Sequence, residues 1–174
     1  EMLEEGLFRA ILDTQCFDLK AVESYRNNPC HQAMTSGMYA NPGSKGAVVD
    51  RLDVMLLGAT EIDLDFNVNV TTGSNGVILG GSGGHSDTAA GARLSLVVTR
   101  LARKRYPSVV QNVTTVTTPG ESIDALVTEA GIAVNPRRAD LAEKLAGAGL
   151  PVVAIGELLG LAGRTAGEPS KPCL

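Results

Sequence analysis

The chain has 174 residues, 44% of them apolar and 3% aromatic with no tryptophan, and 15 basic against 19 acidic side chains give a formal charge of −4. That length suffices for one domain burying roughly 70% of the unfolded chain's surface, with Val, Leu, Ile and Ala filling the interior as in α/β proteins with buried parallel strands. The acidic balance speaks against nucleic acid as a partner, and apolar runs such as 54–57 fall far short of the ~20 residues a membrane-spanning helix needs.

Met2 to Leu12 carries apolar residues at Leu3, Leu7, Phe8, Ile11 and Leu12, which is helical spacing, and Thr14 to Phe17 then reads as a short strand. Asp18 is placed to cap a helix through Ala21 to Tyr25, closed by Asn27-Asn-Pro29. Asn41 to Gly46 is a loop, followed by a strongly apolar strand at Asp53 to Leu57. Asp65 to Thr71 alternates with period two, and Gly73-Ser-Asn-Gly76 is a turn signal before Val77 to Leu79. Further strands are expected at Leu94–Thr99, Val109–Val116, Asp124–Thr128 and Ile132–Val134. Pro136 lies near the start of a helix through Arg138 to Ala146, stopped by Gly147 and Gly149, and Val152-Val153 and Gly156 to Leu161 complete the fold. Residues 1–164 are thus read as one domain, and the Pro/Gly/Ser-rich stretch Thr165 to Leu174 as a disordered tail.

The segment Gly80 to Ala92 joins a loop with glycine at four of its five positions 80–84 to a helix start. Such a loop brings backbone N–H groups close to a ligand, and Ser86 or Asp87 is expected to cap a helix through Thr88 to Ala92. A helix N-terminus attracts anions, so the loop reads as a cradle for a phosphate, carboxylate, thioester oxygen or pantetheine chain. The alternative is a tight strand-to-helix connection that binds nothing. Gly81 and Gly83 begin a G-x-G-x-x-G spacing, but Ser86 stands at the third glycine, and no Gly-Lys-Ser/Thr occurs, which excludes the common nucleotide patterns. His85, Ser86 and Asp87 are consecutive, and neighbours on one backbone do not line up as a catalytic triad.

Glu61, Asp63 and Asp65 alternate after the apolar strand, so an extended backbone would place their carboxylates on one face. They would then act as acid or base, bind a metal, or simply solvate a strand edge. Asn67 and Asn69 continue that face with amides able to bind a carboxylate or a thioester carbonyl. Arg100, Arg103, Lys104 and Arg105 form a basic run, read either as a contact for an anionic arm or acidic carrier or as a solvated loop. Arg137 and Arg138 have the same two readings, with a ligand or partner contact mildly favoured for Arg138, which is poorly placed for the helix dipole. Cys16, Cys30 and Cys173 have no C-x-x-C spacing, which indicates neither a disulfide framework nor a zinc site and suits a reducing cytoplasm. No signal peptide is visible, and a chain opening at Glu1 is read as a piece of a longer one.

Gly80 to Ala92, with Gly58 to Val70 before it and Val113 to Gly120 and Val134 to Arg138 after it, closely resembles the C-terminal part of the citrate lyase alpha chain, from about Leu3 to about Leu159. Asp50 to Asp87 is more distantly similar to the second half of acetate- and succinate-type CoA transferases. The resemblance implies a three-layer α/β domain around a mixed, mainly parallel sheet, of the ribose-phosphate-isomerase and CoA-transferase type. It also implies an activity: transfer of the carrier thiol from acetate to citrate, giving citryl carrier protein and acetate, in a cytoplasmic complex with beta and gamma subunits. The gamma carrier bears a phosphoribosyl-dephospho-CoA arm; no tightly bound cofactor and no metal are implied, and a homo-oligomer is allowed. The expected catalytic residues are Asp63, Asp65 and His85, and the expected substrate and CoA contacts are Gly58, Asn67, Asn69, Gly80, Gly81, Gly83, Gly84, Ser86 and Asp87. CoA transferases carry a catalytic Glu in a Ser-Glu-Asn-Gly phrase, whereas Gly73-Ser-Asn-Gly76 lacks it, so the resemblance implies direct exchange through a mixed anhydride. A docking module that holds the carrier without turnover is the second reading, and a sugar-phosphate isomerase or sensor of the same fold a remote third.

Overall fold

Local chemistry at Asp18 sets the first helix: its carboxylate accepts the Ala21 N–H at 2.7 Å, and helix α1 runs Leu19–Asn27. A computed structural model describes residues 1–103 and 106–166, and the chain divides into two compact units, Glu1–Asp50 and a second beginning at Arg51.

In the first unit, strand β1 (Ile11–Asp13) pairs in parallel with β2 (His31–Ala33), Ile11 opposite His31. The helix expected over Met2 to Leu12 does not form. Glu5 N–H closes one turn on the Glu1 carbonyl, Gly6 then takes φ +71°, and the apolar periodicity beyond it is spent on an extended strand. Nor is Thr14 to Phe17 a strand, because the Asp13 carboxylate captures the Gln15 N–H at 2.9 Å and turns the chain. A short helix α2 (Ser36–Ala40), capped by Thr35, was not legible in the sequence.

In the second unit, β3 (Val54–Leu57) leads through Gly58 into a small hairpin of β4 (Glu61–Ile62) and β5 (Val68–Asn69). Helix α3 (His85–Gly91) and strand β6 (Leu94–Val98) follow, then the short pair β7 (Ala102–Arg103) and β8 (Tyr106–Pro107). Strands β9 (Ala125–Thr128) and β10 (Gly131–Val134) and helices α4 (Ala139–Gly147) and α5 (Ile155–Ala166) complete it. The main sheet has the order β10-β9-β6-β3, with β3, β6 and β9 mutually parallel and β10 antiparallel, a mixed α/β architecture with a mainly parallel sheet.

Met55, Leu57, Val97, Leu126 and Ala133 share the sheet face that packs with Ala89 of α3 and Leu158 and Ala162 of α5. Phe66, Ile62, Ile123, Leu126, Leu158, Val68, Val97 and Val109 are fully buried, each stabilising by roughly 1.5–3 kcal/mol. On the opposite face Val54, Leu56 and Val98 stand exposed, Leu56 at 64%. The strand expected over Val109 to Val116 reduces to one bridge, Val109 to Ile62, because the backbone beyond it turns its N–H groups to buried carboxylates. Thr165 and Ala166 belong to α5 rather than to a tail; the rest of the expected tail, with Cys173, lies outside the described residues, as do Lys104 and Arg105.

Candidate functional site

Glu61, Asp63 and Asp65 do not share a strand face. Strand β4 ends at Ile62, since Asp63 Oδ1 accepts the N–H groups of Asp65 (3.0 Å) and Asn67 (2.9 Å) and folds residues 63–67 into a tight loop. That loop holds Phe66 at φ 64°, a left-handed conformation sparsely populated by a bulky residue, while its ring is buried in the core. Asp63 Oδ2 takes two further donors, Asn67 Nδ2 at 3.2 Å and Val113 N–H at 3.3 Å. Asp65 is exposed.

Glu61 is 2% exposed and accepts from the Ser74 hydroxyl, from Asn69 Nδ2 at 2.9 Å and from Thr114 N–H at 3.1 Å. Burial pushes this carboxyl's pKa up, but the bonds from Ser74, Asn69 and Thr114 outweigh it and hold the group below its ordinary value. Asn69 is wholly buried: its NH₂ also reaches the Thr72 carbonyl and hydroxyl, and its oxygen accepts from Thr71 and Thr72 N–H. Asn67 bridges two loops, its oxygen accepting Gly120 N–H at 3.0 Å. At Gly120 a Cβ would fall on the Asp65 carbonyl, so only glycine allows the two loops to approach this closely.

A clasp of threonines, missed from sequence, joins the hairpin to residues 113–118. Thr72 Oγ1 donates to Thr115 Oγ1 (2.8 Å), the hydroxyls of Thr71 and Thr117 meet at 2.9 Å, and Thr117 Oγ1 accepts Val70 N–H. The signal was present as the paired threonines 114–115 and 117–118, which resemble a strand until their hydroxyl partners are known.

The glycine loop follows the turn at Gly73–Gly76, where Thr72 bridges Ile78 and Leu79 N–H returns to the Thr71 carbonyl. Residues 80–83 are exposed, and a Cβ added at Gly80, Gly81 or Gly83 would meet no atom within 4 Å. Gly83 has φ +54°, so its glycine is a conformational requirement. Among the described residues, the N–H groups of Gly81, Ser82, Gly83 and Gly84 find no protein acceptor. Helix α3 starts from Gly84, not from a Ser86 or Asp87 cap; both of those residues lie within its first turn, and no side chain caps it. His85 ties this turn to its surroundings through Nδ1 with Thr118 Oγ1 (2.6 Å) and Nε2 with the Gly58 carbonyl (2.9 Å). Donation to a carbonyl fixes the proton on Nε2, so Nδ1 accepts from Thr118. Burial lowers the His85 pKa and the Gly58 bond only partly offsets it, which keeps the ring neutral. His85 thereby pins the glycine loop to Gly58, at the carboxyl end of β3, the side of a parallel sheet where ligands usually bind.

Arg138, partly exposed, bonds Asp124 at 2.6 Å and Asp140 at 3.1 Å, and these carboxylates, Asp140 foremost, raise its already high pKa. Arg137 is exposed and stands 3.8 Å from Glu121. The structure thus brings Gly58, Gly80–Gly84, His85, Ser86 and Asp87 into one open region. Asp63, Asn67 and Asn69 lie in the hydrogen-bonded scaffold beneath the hairpin, where Glu61 is the hub.

Comparisons with known proteins bear on the family. The family model for the citrate lyase alpha subunit (CitF) matches residues 1–172. The citrate lyase alpha chains of Klebsiella pneumoniae and Escherichia coli are 53% and 54% identical over 169 residues, covering 97% of this chain and 33% of theirs; the chain spans about a third of the length of these curated relatives. A crystal structure of the alpha subunit of citrate lyase from Streptococcus mutans, in complex with citrate, is 49% identical with a TM-score of 0.89, covering 98% of this chain and 34% of that one. RipA from Yersinia pestis, at 18% identity and a TM-score of 0.63 over 94% of this chain and 41% of its own, shares the fold. The chain belongs to the citrate lyase alpha subunit family.

Proposed function

We propose that this segment contributes the carrier-arm cradle of a citrate lyase transferase, which exchanges the acetyl group of acetyl carrier protein for citrate. The observation that carries the reading is the open glycine loop at Gly80–Gly84, whose N–H groups at 81–84 lack acceptors among the described residues. Such donors suit the thioester oxygen as charge develops on it. Ser82 within the loop and Ser86 and Asp87 at the helix start are polar side chains that this region offers, and Asp65 is exposed at the 63–67 loop.

The chemistry follows from what the carboxylates are occupied with. Glu61 and Asp63 are each saturated by donors from their own chain, which makes them poor nucleophiles. A citrate carboxylate oxygen then attacks the acetyl carbonyl directly and expels the carrier thiolate. The resulting acetyl-citryl anhydride is opened by that thiolate at the citryl carbonyl, and acetate leaves. His85, neutral and bonded through both nitrogens, positions the loop rather than carrying protons. The beta and gamma subunits, the phosphoribosyl-dephospho-CoA arm and a cytoplasmic setting belong to the same proposal. Among the described residues, no helix is long and apolar enough to cross a membrane.

A second reading, a docking half-domain that is complete only with more chain, is favoured by the one-third coverage of the relatives. Calorimetry with CoA, acetyl-CoA and citrate, with and without the remaining two thirds of a relative, separates the two. Gly81→Val fills open space, so it should leave folding unchanged and abolish acetyl-CoA binding and exchange; retained binding overturns the cradle.

A further inference from the structure

The first unit gathers three different metal-binding donors at one point, far in sequence from the glycine loop. We propose that Asp13, Cys16 and His31 form a site for one divalent cation of zinc type, which clips the ends of β1 and β2 together. Their ligand atoms all lie within 4.8 Å of one another. Asp13 Oδ2 stands 3.4 Å from Cys16 Sγ and 3.4 Å from His31 Nε2. Around a tetrahedral zinc with bonds of about 2.0–2.3 Å, neighbouring donors stand about 3.3–3.8 Å apart, so two edges of the polyhedron already have the required length.

The donors are held by the fold rather than by chance rotamers. Asp13 ends β1 and His31 begins β2, and Asp13 Oδ1 is engaged by Gln15 N–H, which turns Oδ2 toward the other two. The His31 side chain is 3% exposed, with Tyr25 edge-on at 5.6 Å. Its Nδ1 lies 3.1 Å from Ser24 Oγ on α1, the kind of outer partner that leaves Nε2 free to ligate. A cavity of about 1190 Å³ bordered by Asp13, Ser24, Asn28 and His31 supplies an entry path and room for a fourth, exchangeable ligand. One thiolate, one carboxylate and a neutral imidazole offset a 2+ charge. The unit also has reason to use a metal, since its buried apolar residues are only Met34, Ala40, Ala47 and Val49. Cysteine spacing gave no hint of the site, because each ligand is of a different residue type and His31 comes from a second strand.

The test is titration of the chelator-treated 174-residue chain with Co²⁺, then displacement by Zn²⁺. One cobalt per chain with a thiolate-to-metal charge-transfer band is expected. Cys16→Ser should lose the band, His31→Gln should weaken zinc binding at least tenfold, and Ser24→Ala should weaken it about tenfold, while Cys30→Ser keeps both band and affinity. Alkylation of the unsubstituted chain, read by peptide mass spectrometry, does not depend on how the variants fold: zinc should protect Cys16 and leave the exposed Cys30 reactive. Absence of the band, or equal labelling of Cys16 with and without zinc, overturns the site and leaves an ordinary Asp–His contact.

Discussion

Replacing Glu61 by Gln tests whether an ionised carboxylate organises the hairpin. The wild-type group receives donors from Ser74, Asn69 and Thr114 while 2% exposed. Hydrogen bonds to a charged acceptor contribute about 1.5–3 kcal/mol and neutral ones about 0.5–1.5 kcal/mol, so neutralising the acceptor costs about 1 kcal/mol per bond, roughly 3 in all. Cheaper burial of an uncharged amide returns about 1 kcal/mol, for a net destabilisation of about 2 kcal/mol at pH 7. Because the folded pKa lies below the unfolded one, the wild-type contribution is fully present above the ordinary unfolded value of 4.5 and is lost as pH falls through the lower folded value. Urea unfolding of both chains from pH 7 to pH 3 reads both quantities. A gap under about 0.5 kcal/mol at pH 7, or one that does not shrink as the pH falls below the unfolded value, would refute the reasoning.

Gly120→Ala should cost about 3 kcal/mol or more, since its Cβ meets the Asp65 carbonyl of a loop already holding Phe66 in a left-handed conformation; a urea midpoint unchanged from wild type counts against the close approach. The His85 ring should stay neutral below pH 6.5, with its proton on Nε2, in ring ¹⁵N spectra. As its folded pKa is lowered, the stability it contributes is present above the unfolded value and lost as the pH falls through the folded one, a limb that should vanish in His85→Gln. Arg138→Gln should destabilise by roughly 1–2 kcal/mol, because Asp124 keeps only the Ser95 N–H at 2.7 Å while Asp140 is exposed; thermal melts at low and high salt would expose a purely screened surface pair instead.

What sequence reasoning read correctly were elements decided within a few residues. Asp18 caps α1 because its oxygen needs only Ala21 N–H, and Val54–Leu57 and Leu94–Val98 are strands because apolar runs that short have few alternatives. Apart from the helix expected over Met2 to Leu12, which Gly6 ends, the failures share a physical form, in which a polar side chain competes with the backbone pattern. Asp13 and Asp63 each take the N–H two residues on, which turns the chain where an extended segment was expected to run on, at Thr14 to Phe17 and at 61–65. The strand expected over Val109 to Val116 gives way because N–H groups and hydroxyls at 113–117 go to Asp63, Glu61 and the hairpin threonines.

The same competition decides how much of the site is visible in advance. The glycine loop was legible because its message is an absence of side chains, which no tertiary contact can alter. The carboxylates were not, because three acidic residues in alternation say nothing about which will be buried, and burial sets the three apart. Glu61, outside the expected catalytic set, is the hub, Asp63 is a loop organiser and Asp65 alone faces water. A carboxylate that holds the scaffold must be ionised and saturated with donors; one that attacks an acyl carbon must be ionised and short of them. Glu61 and Asp63 meet the first description, which leaves Asp65, exposed at the 63–67 loop, as the one carboxylate of the three outside the scaffold.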